Sequence, residues 1–412
     1  MGENGNNMDS NNTNSRIPKL RFPGFTGEWM ERQLKNSFDE RIEKNRCELP
    51  LLSLGEKGLV YQSDTARKDN SNADKCKYLR VAIGDIAYNT MRMWQGRCVC
   101  AEIEGIVSPA YTVCKPKNGI DSMFHYYLFK TNRMIQLFHQ NSQGLVNDTL
   151  NLKYEAFSKI RYLLPPTLSE QQKIASCLSE LDDLITAQGQ KVDALKEKKK
   201  GMMQRMFPQQ GETTPRLRFP GFTADWVEMS FGELYKKHNV KNDLTFGIDK
   251  IISVANMYYK NDATVGDEDY LRTYNIFRLG DIAYEGNKSA NYAFGRFVEN
   301  TIGDGIVSHV FDVYSPILHV HCLDYWKYAI NYERIMRPVL EKSTIKSTMM
   351  TNLIAKDFLK QKILVPTFAE QQKIAEFLSE LDKTIEAETT KFDTLKNHKK
   401  GLMQQLFPQP TK

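Results

Sequence analysis

No run of about 18 apolar residues occurs in the 412-residue chain, which argues against a membrane-spanning helix and for a cytoplasmic protein that does not engage a membrane. Cysteine is scarce. Seven residues, an odd number without paired spacing, fit a reducing compartment better than a disulfide framework. Several chemistry-bearing motifs are also missing. There is no Gly-x-x-x-x-Gly-Lys-Ser/Thr phosphate loop. No Gly-x-Gly-x-x-Gly follows a strand, so no dinucleotide or S-adenosylmethionine fold is signalled. Pro165-Pro166 lies between Leu164 and Thr167, with no acid or amide beside it to hold an exocyclic amine. No Ser/His/Asp arrangement stands out. His319 and His321 would share one face of a strand, yet the aligned positions in the first half are Gly119 and Asp121, so a polar strand is expected there rather than a metal site. Cys98 and Cys100 are too closely spaced for a zinc pair. Excess charge of one sign is small. Lys+Arg at 56 against Asp+Glu at 50 gives +6, which permits a polyanionic partner without requiring one.

What the chain does have is repetition. Leu20-Arg21-Phe22-Pro23-Gly24-Phe25-Thr26 returns letter for letter as Leu217-Arg218-Phe219-Pro220-Gly221-Phe222-Thr223, each copy followed by a tryptophan, Trp29 or Trp226. Glu170-Gln171-Gln172-Lys173-Ile174-Ala175 returns from Glu370 to Ala375, and Phe207-Pro208-Gln209 returns as Phe407-Pro408-Gln409. Between these frames the two interiors diverge. A period near 200 residues implies tandem domains, because solenoid repeats run to about 20–50 residues.

The expected organisation is a disordered Asn-rich leader (1–15), a domain (16–164), a long helix (165–207), a linker (208–215), a second domain (216–364) and a second long helix (365–409). Ile83-Gly84-Asp85-Ile86-Ala87-Tyr88 matches Leu279-Gly280-Asp281-Ile282-Ala283-Tyr284 as a turn followed by a strand. The Gly105 to Ser108 and Gly305 to Ser308 segments match in the same way. Stretches 122–140 and 323–340 carry helical spacing, so each domain is α+β. The long helices are expected to start at Ser169 and Ala369, with an early glutamate, and to end near Gly201 and Gly401 or at Phe-Pro a turn later. Ile174, Leu178, Leu181, Ile185, Gln188, Val192, Leu195, Lys199, Met202 and Met206 step by four and three, and Ile374 to Leu406 repeat the register. A heptad seam this long implies coiled-coil packing, with polar breaks at Gln188 and Glu388 and at Lys199 and Lys399.

The polar loops are the candidate nucleic-acid contacts. Arg92, Trp94, Gln95 and Arg97 follow the first Gly-Asp strand, and Asn287, Lys288, Asn291 and Tyr292 follow the second. Arginine suits guanine edges, and asparagine or glutamine suits adenine. Asn147 in the first half, and Lys342, Lys346 and Ser347 in the second, precede the long helices and suit phosphate contact.

The duplicated frame, the Glu-Gln-Gln-Lys-Ile-Ala start with its heptad helix, and the Gly-Asp-Ile-Ala-Tyr strand resemble the specificity (S) subunits of type I restriction-modification systems, from about Lys19 to Gln409. The resemblance implies an α+β fold with two tandem α/β target-recognition domains, each followed by a long helix, the helices pairing as an antiparallel coiled coil. It implies a non-catalytic subunit that reads double-stranded DNA at a bipartite, asymmetric site. Its partners would be two methyltransferase (M) subunits and restriction (R) subunits. No cofactor would sit on this chain; S-adenosylmethionine, ATP and Mg²⁺ belong to the partners. A helix from Ser169 to Arg205 spans about 55 Å, enough to separate half-sites by one or more ~34 Å turns of DNA. The exposed helix flanks and the Leu-Arg-Phe-Pro-Gly-Phe-Thr segments are the expected docking surfaces for the partners. The family has no fixed base-contacting residues, so the loops above rest on residue type alone.

Two other readings remain at this stage. One is a coiled-coil scaffold or decoy that does not read DNA. The other is a fused nuclease or methyltransferase using Asp39, Glu40 and Glu43, for which the second half offers Lys236, Lys237 and Val240.

Overall fold

A computed structural model of the chain describes residues 16–55, 58–65, 74–144, 146, 149–209, 211–260, 267–317, 321–346 and 350–408. The leader expected at 1–15 lies outside the described residues. The chain divides into two compact units, Met1–Gln190 with Thr389–Lys412, and Lys191–Glu388.

Two 39-residue helices, Leu168–Met206 and Phe368–Leu406, each contribute to both units. Their starts follow from sequence. Thr167 and Thr367 each accept the N–H of the glutamate three residues on at 3.3 Å, the arrangement of an N-cap. Each helix begins one residue earlier than its sequence suggests and runs straight through Gly201 or Gly401. The heptad seam explains this continuation, since Met202 and Met206, and Leu402 and Leu406, still have a face to cover. In the first unit Asp182 meets Lys399 and Gly189 meets Phe392. In the second, Lys191 meets Glu388 and Lys199 meets Asp382. As one helix ascends the other descends, so the pair is antiparallel within each unit. A β-carbon on Gly189 would sit 3.2 Å from the Phe392 ring, so the glycine makes room for that ring.

The two units share one topology. In the first, Met30–Gln33 pairs antiparallel with Arg161–Leu164, placing Met30 opposite Leu164. A four-stranded antiparallel sheet runs in the order Phe38–Glu40, Tyr111–Pro116, Ile86–Asn89, Cys98–Cys100. In the second, Val227–Ser230 pairs with Lys362–Val365, and the sheet runs Tyr235–Lys237, Val313–Pro316, Ile282–Glu285, Arg296–Glu299. Alternate strand residues face a core built on aromatics. The glycines of the repeated Gly-Ile-Val strands are required by crowding. A β-carbon on Gly105 would meet the Pro50 carbonyl oxygen at 2.5 Å, and one on Gly305 the Lys250 carbonyl oxygen at 2.4 Å.

Each stretch with helical spacing is two helices rather than one: Ser122–Leu128 with Asn132–Asn141, and Leu323–Ala329 with Glu333–Ser343. In the first pair the Thr131 hydroxyl accepts the Met134 N–H and starts a new helix.

The duplicated frame residues lock each unit to both long helices. Phe22-Pro23-Gly24-Phe25 is a turn closed from the Phe25 N–H to the Phe22 carbonyl, with Gly24 at φ 89°; Gly221 does the same at 95°. Arg21 grips Glu170 through two bonds of 2.8 Å, and Arg218 grips Glu370 at 2.8 and 2.7 Å. Both glutamates are only 1% exposed. The preceding residue caps the other helix: the Leu20 N–H donates to the Gln405 carbonyl at 3.0 Å, and the Leu217 N–H to the Arg205 carbonyl at 2.8 Å. The next signature residue reaches into the domain. Gln171 accepts the Asp121 N–H at 3.0 Å, and Gln371 accepts the Cys322 N–H at 3.0 Å. Phe407 packs on Trp29 and Phe124, while Phe207 packs on Trp226, Tyr325 and Tyr332. Thus the Leu-Arg-Phe-Pro-Gly-Phe-Thr segments, expected to serve docking, spend their arginine and leucine on internal closure.

Glu299 is buried at the end of its strand, opposite Ile282, and its carboxyl is pushed up to about 9, chiefly by burial, against an ordinary value of 4.5. Lys327 opposes that shift and Asp324 adds to it. The folded state therefore keeps a proton that the unfolded chain has released between pH 4.5 and about 9. Stability contributed here falls as pH rises through that window. Glu299→Gln should raise the stability of the second unit by about 2–4 kcal/mol at pH 8 and change little at pH 4. Denaturant unfolding at the two pH values would show it, and an equal effect at both would refute the assignment.

Candidate nucleic-acid interface

The first candidate loop leaves the Ile86–Asn89 strand. Asn89 Oδ1 accepts the Met91 N–H at 2.9 Å, Met93 is buried, and Gly96 turns the chain at φ 72°. Those anchors leave Arg92, Gln95 and Arg97 exposed. Trp94 is half-buried. Its indole N–H donates to the Met91 carbonyl at 3.0 Å and its ring meets His139 edge-on at 5.8 Å. That ring shapes the loop from within.

The matching loop in the second unit is braced more heavily. The buried Glu285 carboxylate accepts Arg296 Nε at 2.9 Å and Asn287 Nδ2 at 3.1 Å. The Arg296 guanidinium lies 5.0 Å over the Tyr292 ring. Tyr284 donates to the Phe294 carbonyl at 2.6 Å, tying down the far end. Lys288 and Asn291 are left exposed, and Asn287 is exposed with its amide partly engaged. Lys342 is exposed in the last turn of Glu333–Ser343. Lys346 ends the strand Thr344–Lys346, paired with Thr351. Its side chain, Ser347 and Asn147 lie outside the described residues.

The structure gathers some of these residues and leaves others apart. In the second unit Asn291 and Tyr292 line a cleft of about 510 Å³ together with Lys196, Lys199, Lys200 and Lys327. Lys342 lines an adjoining cleft of about 720 Å³ with Arg334 and Arg337, and the two clefts share Lys200, Tyr332 and Glu333. In the first unit Arg97 lines a cleft of about 440 Å³ with Tyr126 and Lys130. Lys130 also lines a cleft of about 400 Å³ with Lys396, Lys399 and Lys400. Arg92, Trp94, Gln95, Asn287 and Lys288 do not line these clefts.

The lysines on the long helices are what loop-by-loop reading misses. Lys399, a polar break in the seam, bonds Asp182 at 2.5 and 2.6 Å, and Asp182 also accepts the Tyr127 hydroxyl at 2.9 Å. The second unit repeats this with Lys199 on Asp382 at 2.5 Å and the Tyr328 hydroxyl on Asp382 at 2.7 Å. The ammonium groups lie 5.1 Å over the Tyr127 ring and 4.9 Å over the Tyr328 ring. Burial first, and then the aspartate, pushes the Tyr127 phenol up; burial also dominates at Tyr328. Each tyrosine thus stays a neutral donor and couples a recognition domain to the helix pair.

The remaining candidates for other chemistry are structurally committed. Glu43 sits between Arg80 and Arg46, and Asp39 pairs with Lys117. His321 is buried, edge-on to Tyr235 and stacked on Trp326, while His319 lies outside the described residues. Among the described residues no group of three or more His, Cys, Asp or Glu could hold a metal ion, and no helix is long and apolar enough to cross a membrane.

Two matched α+β units, each clamped to the same antiparallel helix pair and each presenting a polar loop beside a basic cleft, define a duplicated recognition subunit. Residues 29–197 and 223–397 match the family model described as type I restriction modification DNA specificity domain, and the chain belongs to that family. By family it is the non-catalytic specificity subunit of a type I restriction-modification system. A relative from Methanocaldococcus jannaschii, the type I restriction enzyme MjaVIII specificity subunit, is 22% identical over 80% of this chain and 81% of its own length. A crystal structure of the type I restriction-modification S subunit from M. genitalium matches in fold with TM-score 0.57 and 14% identity, over 96% of this chain and 100% of that one. A chain from a structural study of assembly and conformational transition in the type I R-M system matches with TM-score 0.55 and 13% identity, over 95% and 99%.

Proposed function

We propose that each unit reads one half of a bipartite, asymmetric DNA sequence, and that the chain delivers two methyltransferase subunits, and then restriction subunits, to that site. The observation that carries this reading is the contrast between frame and interior. The locks on Glu170 and Glu370, on Gln171 and Gln371, and on Phe207 and Phe407 are the same in both units, whereas the loops differ. Equivalent locks present equivalent helix surfaces, which suits two copies of one partner. Different loops suit two different half-sites.

In this reading Arg92, Gln95 and Arg97 face one half-site, and Lys288 and Asn291, with Asn287, face the other. Trp94 and Tyr292 hold the loops in shape. Asn147, Lys342, Lys346 and Ser347 serve the phosphates. S-adenosylmethionine, ATP and Mg²⁺ are carried by the partner subunits.

The test is a methylation assay on DNA containing the cell's mapped site. The purified chain alone should transfer no methyl groups, and adding its methyltransferase partner should modify adenine at one defined sequence. Methylation by the chain alone, or by the partner with no change of sequence preference, would overturn the reading.

A further inference from the structure

The two lysine-lined clefts point to a contact that the base-reading loops do not supply. In the first unit Lys396, Lys399 and Lys400, on the C-terminal part of one long helix, face Lys130 at the turn between the two short helices. In the second unit Lys196, Lys199 and Lys200 on the other long helix face Lys327. Met403 and Met203 also line the matching clefts. The helix positions recur at an interval of 200 residues, although the domain interiors have diverged.

Charge in each cleft is unbalanced. Asp182 is the acid lining the first and Glu333 the acid lining the second, each against four lysines. Asp182 is already bound to Lys399 and to the Tyr127 hydroxyl. Lys199 is held by Asp382 and Lys327 by Asp324 at 3.2 Å, while Lys200 pairs more loosely with the exposed Glu197 at 3.5 Å and Lys196 completes the cleft wall. With four lysines against one acid on its wall, each cleft, of about 400 or 510 Å³, has a positively charged lining that favours an anion.

Three observations select the anion. The site is common to both units, so its ligand must be common to both half-sites, whatever their sequences. The sugar–phosphate backbone meets that condition and base edges do not. The clefts also adjoin the reader loops: Asn291 and Tyr292 line the second directly, and Lys130 joins the first to the cleft containing Arg97. A duplex reached by those loops presents its phosphates to the lysines. Finally, lysine is a point charge on a flexible stem and imposes no planar geometry, which suits contacts that must tolerate any sequence.

We propose that each cleft is a phosphate-contact site, through which Lys396 and Lys400 in one unit, and Lys196 and Lys200 in the other, bind the DNA backbone irrespective of sequence. The helix pair is then part of the DNA-binding surface. This rests on the DNA-reading function above and adds a division of labour to it: lysines for affinity, loops for choice of sequence.

The experiment uses the full chain in complex with its methyltransferase partner. Lys396→Gln with Lys400→Gln, and separately Lys196→Gln with Lys200→Gln, leave Lys399 and Lys199 in place to hold the aspartates. Affinity for a cognate duplex and for a scrambled duplex is measured from 50 to 200 mM salt. Each pair should lower the log–log salt slope by about 1.8, so that the loss of affinity across that range shrinks by roughly tenfold. Both duplexes should be affected alike, the methylated sequence should not change, and Lys→Arg at the same positions should restore the slope. An unchanged slope, or a loss confined to the cognate duplex, overturns the phosphate assignment. So does loss of the methyltransferase subunit from the complex on size-exclusion chromatography, which would mark the clefts as a protein-docking surface. If the unsubstituted complex shows no preference for the cognate duplex, the DNA-reading function itself fails, and that outcome is distinct from failure of the clefts alone.

Discussion

Arg218→Ala should destabilise the second unit by about 3–5 kcal/mol. The reason is the state of its partner. Glu370 is 1% exposed, and the guanidinium supplies two of its hydrogen bonds, at 2.8 and 2.7 Å. Removing the arginine strands a buried carboxylate at the N-terminus of a 39-residue helix. The helix dipole offsets only part of that cost. Arg218→Lys keeps the charge but loses the two-pronged geometry, so it should fall between the wild type and the alanine variant. Replacing both partners, Arg218→Met with Glu370→Leu, removes the charge and its penalty together and should recover most of the loss.

The first unit gives an internal control. Glu170 receives Arg21 in the same way, but it also accepts the Trp29 indole N–H at 3.2 Å. In the second unit the equivalent Trp226 indole nitrogen is buried without a partner. Arg21→Ala should therefore cost about 1 kcal/mol less than Arg218→Ala, since one donor remains. A chain with two units need not unfold in one step, so bulk melting is the wrong readout. Hydrogen exchange in the first turns of the long helices, 168–178 against 368–378, reports each lock separately. Equal deprotection of both helices by both variants would show that the glutamates are not held as drawn.

The heptad seam and the duplicated frame were legible because both are written in linear order. Periodicity of 3.5 survives as spacing, and Ile174, Leu178 and Leu181 are buried as that spacing requires. What the frame residues do was not legible. Arg21 and Glu170 are 149 residues apart and appeared as two unrelated repeats. Phe407 closes the core around Trp29, a pairing that no local pattern encodes. Of the two helix ends that the sequence offered, the glycine and the Phe-Pro a turn later, the structure takes the second, because a helix-breaking propensity of about 1 kcal/mol is weaker than a seam that still has methionines and leucines to bury. The candidate loops were picked by residue type, and the structure shows what type alone does not: Arg92, Gln95, Arg97, Lys288 and Asn291 are exposed, whereas the Trp94 and Tyr292 rings also contact their own loops. The helix lysines were missed for a physical reason. A lysine run near a helix C-terminus also complements the helix dipole, so composition alone does not distinguish a solvated end from a binding wall. Only Lys130 at its turn, or Lys327 on the helix Leu323–Ala329, brought opposite by the fold, makes it a cleft.

Exchanging residues 216–364 for the corresponding stretch of another chain of this family should replace one half of the methylated sequence and leave the other half, and the spacing between them, unchanged. The locks make this exchange feasible. Glu370, Gln371, Met206 and Phe207 lie outside the exchanged stretch, and Gln371 is met by a backbone N–H that any residue but proline at position 322 supplies. The incoming stretch must bring its own Leu-Arg-Phe-Pro-Gly-Phe segment and tryptophan, and a tyrosine to meet Asp382 as Tyr328 does. A donor lacking that tyrosine leaves the Lys199–Asp382 pair without its third member, and its transplant should be less stable while reading the same half-site. The effect on sequence is all-or-none, because the base-edge groups of one unit are replaced wholesale while those of the other are untouched. Mapping of modified adenines in cells carrying the chimera reads it directly. Were both half-sites to change, the loops of the two units could not be independent readers. Were neither to change, sequence choice would lie outside 216–364, and the loop beside Asn291 and Tyr292 would not face the bases.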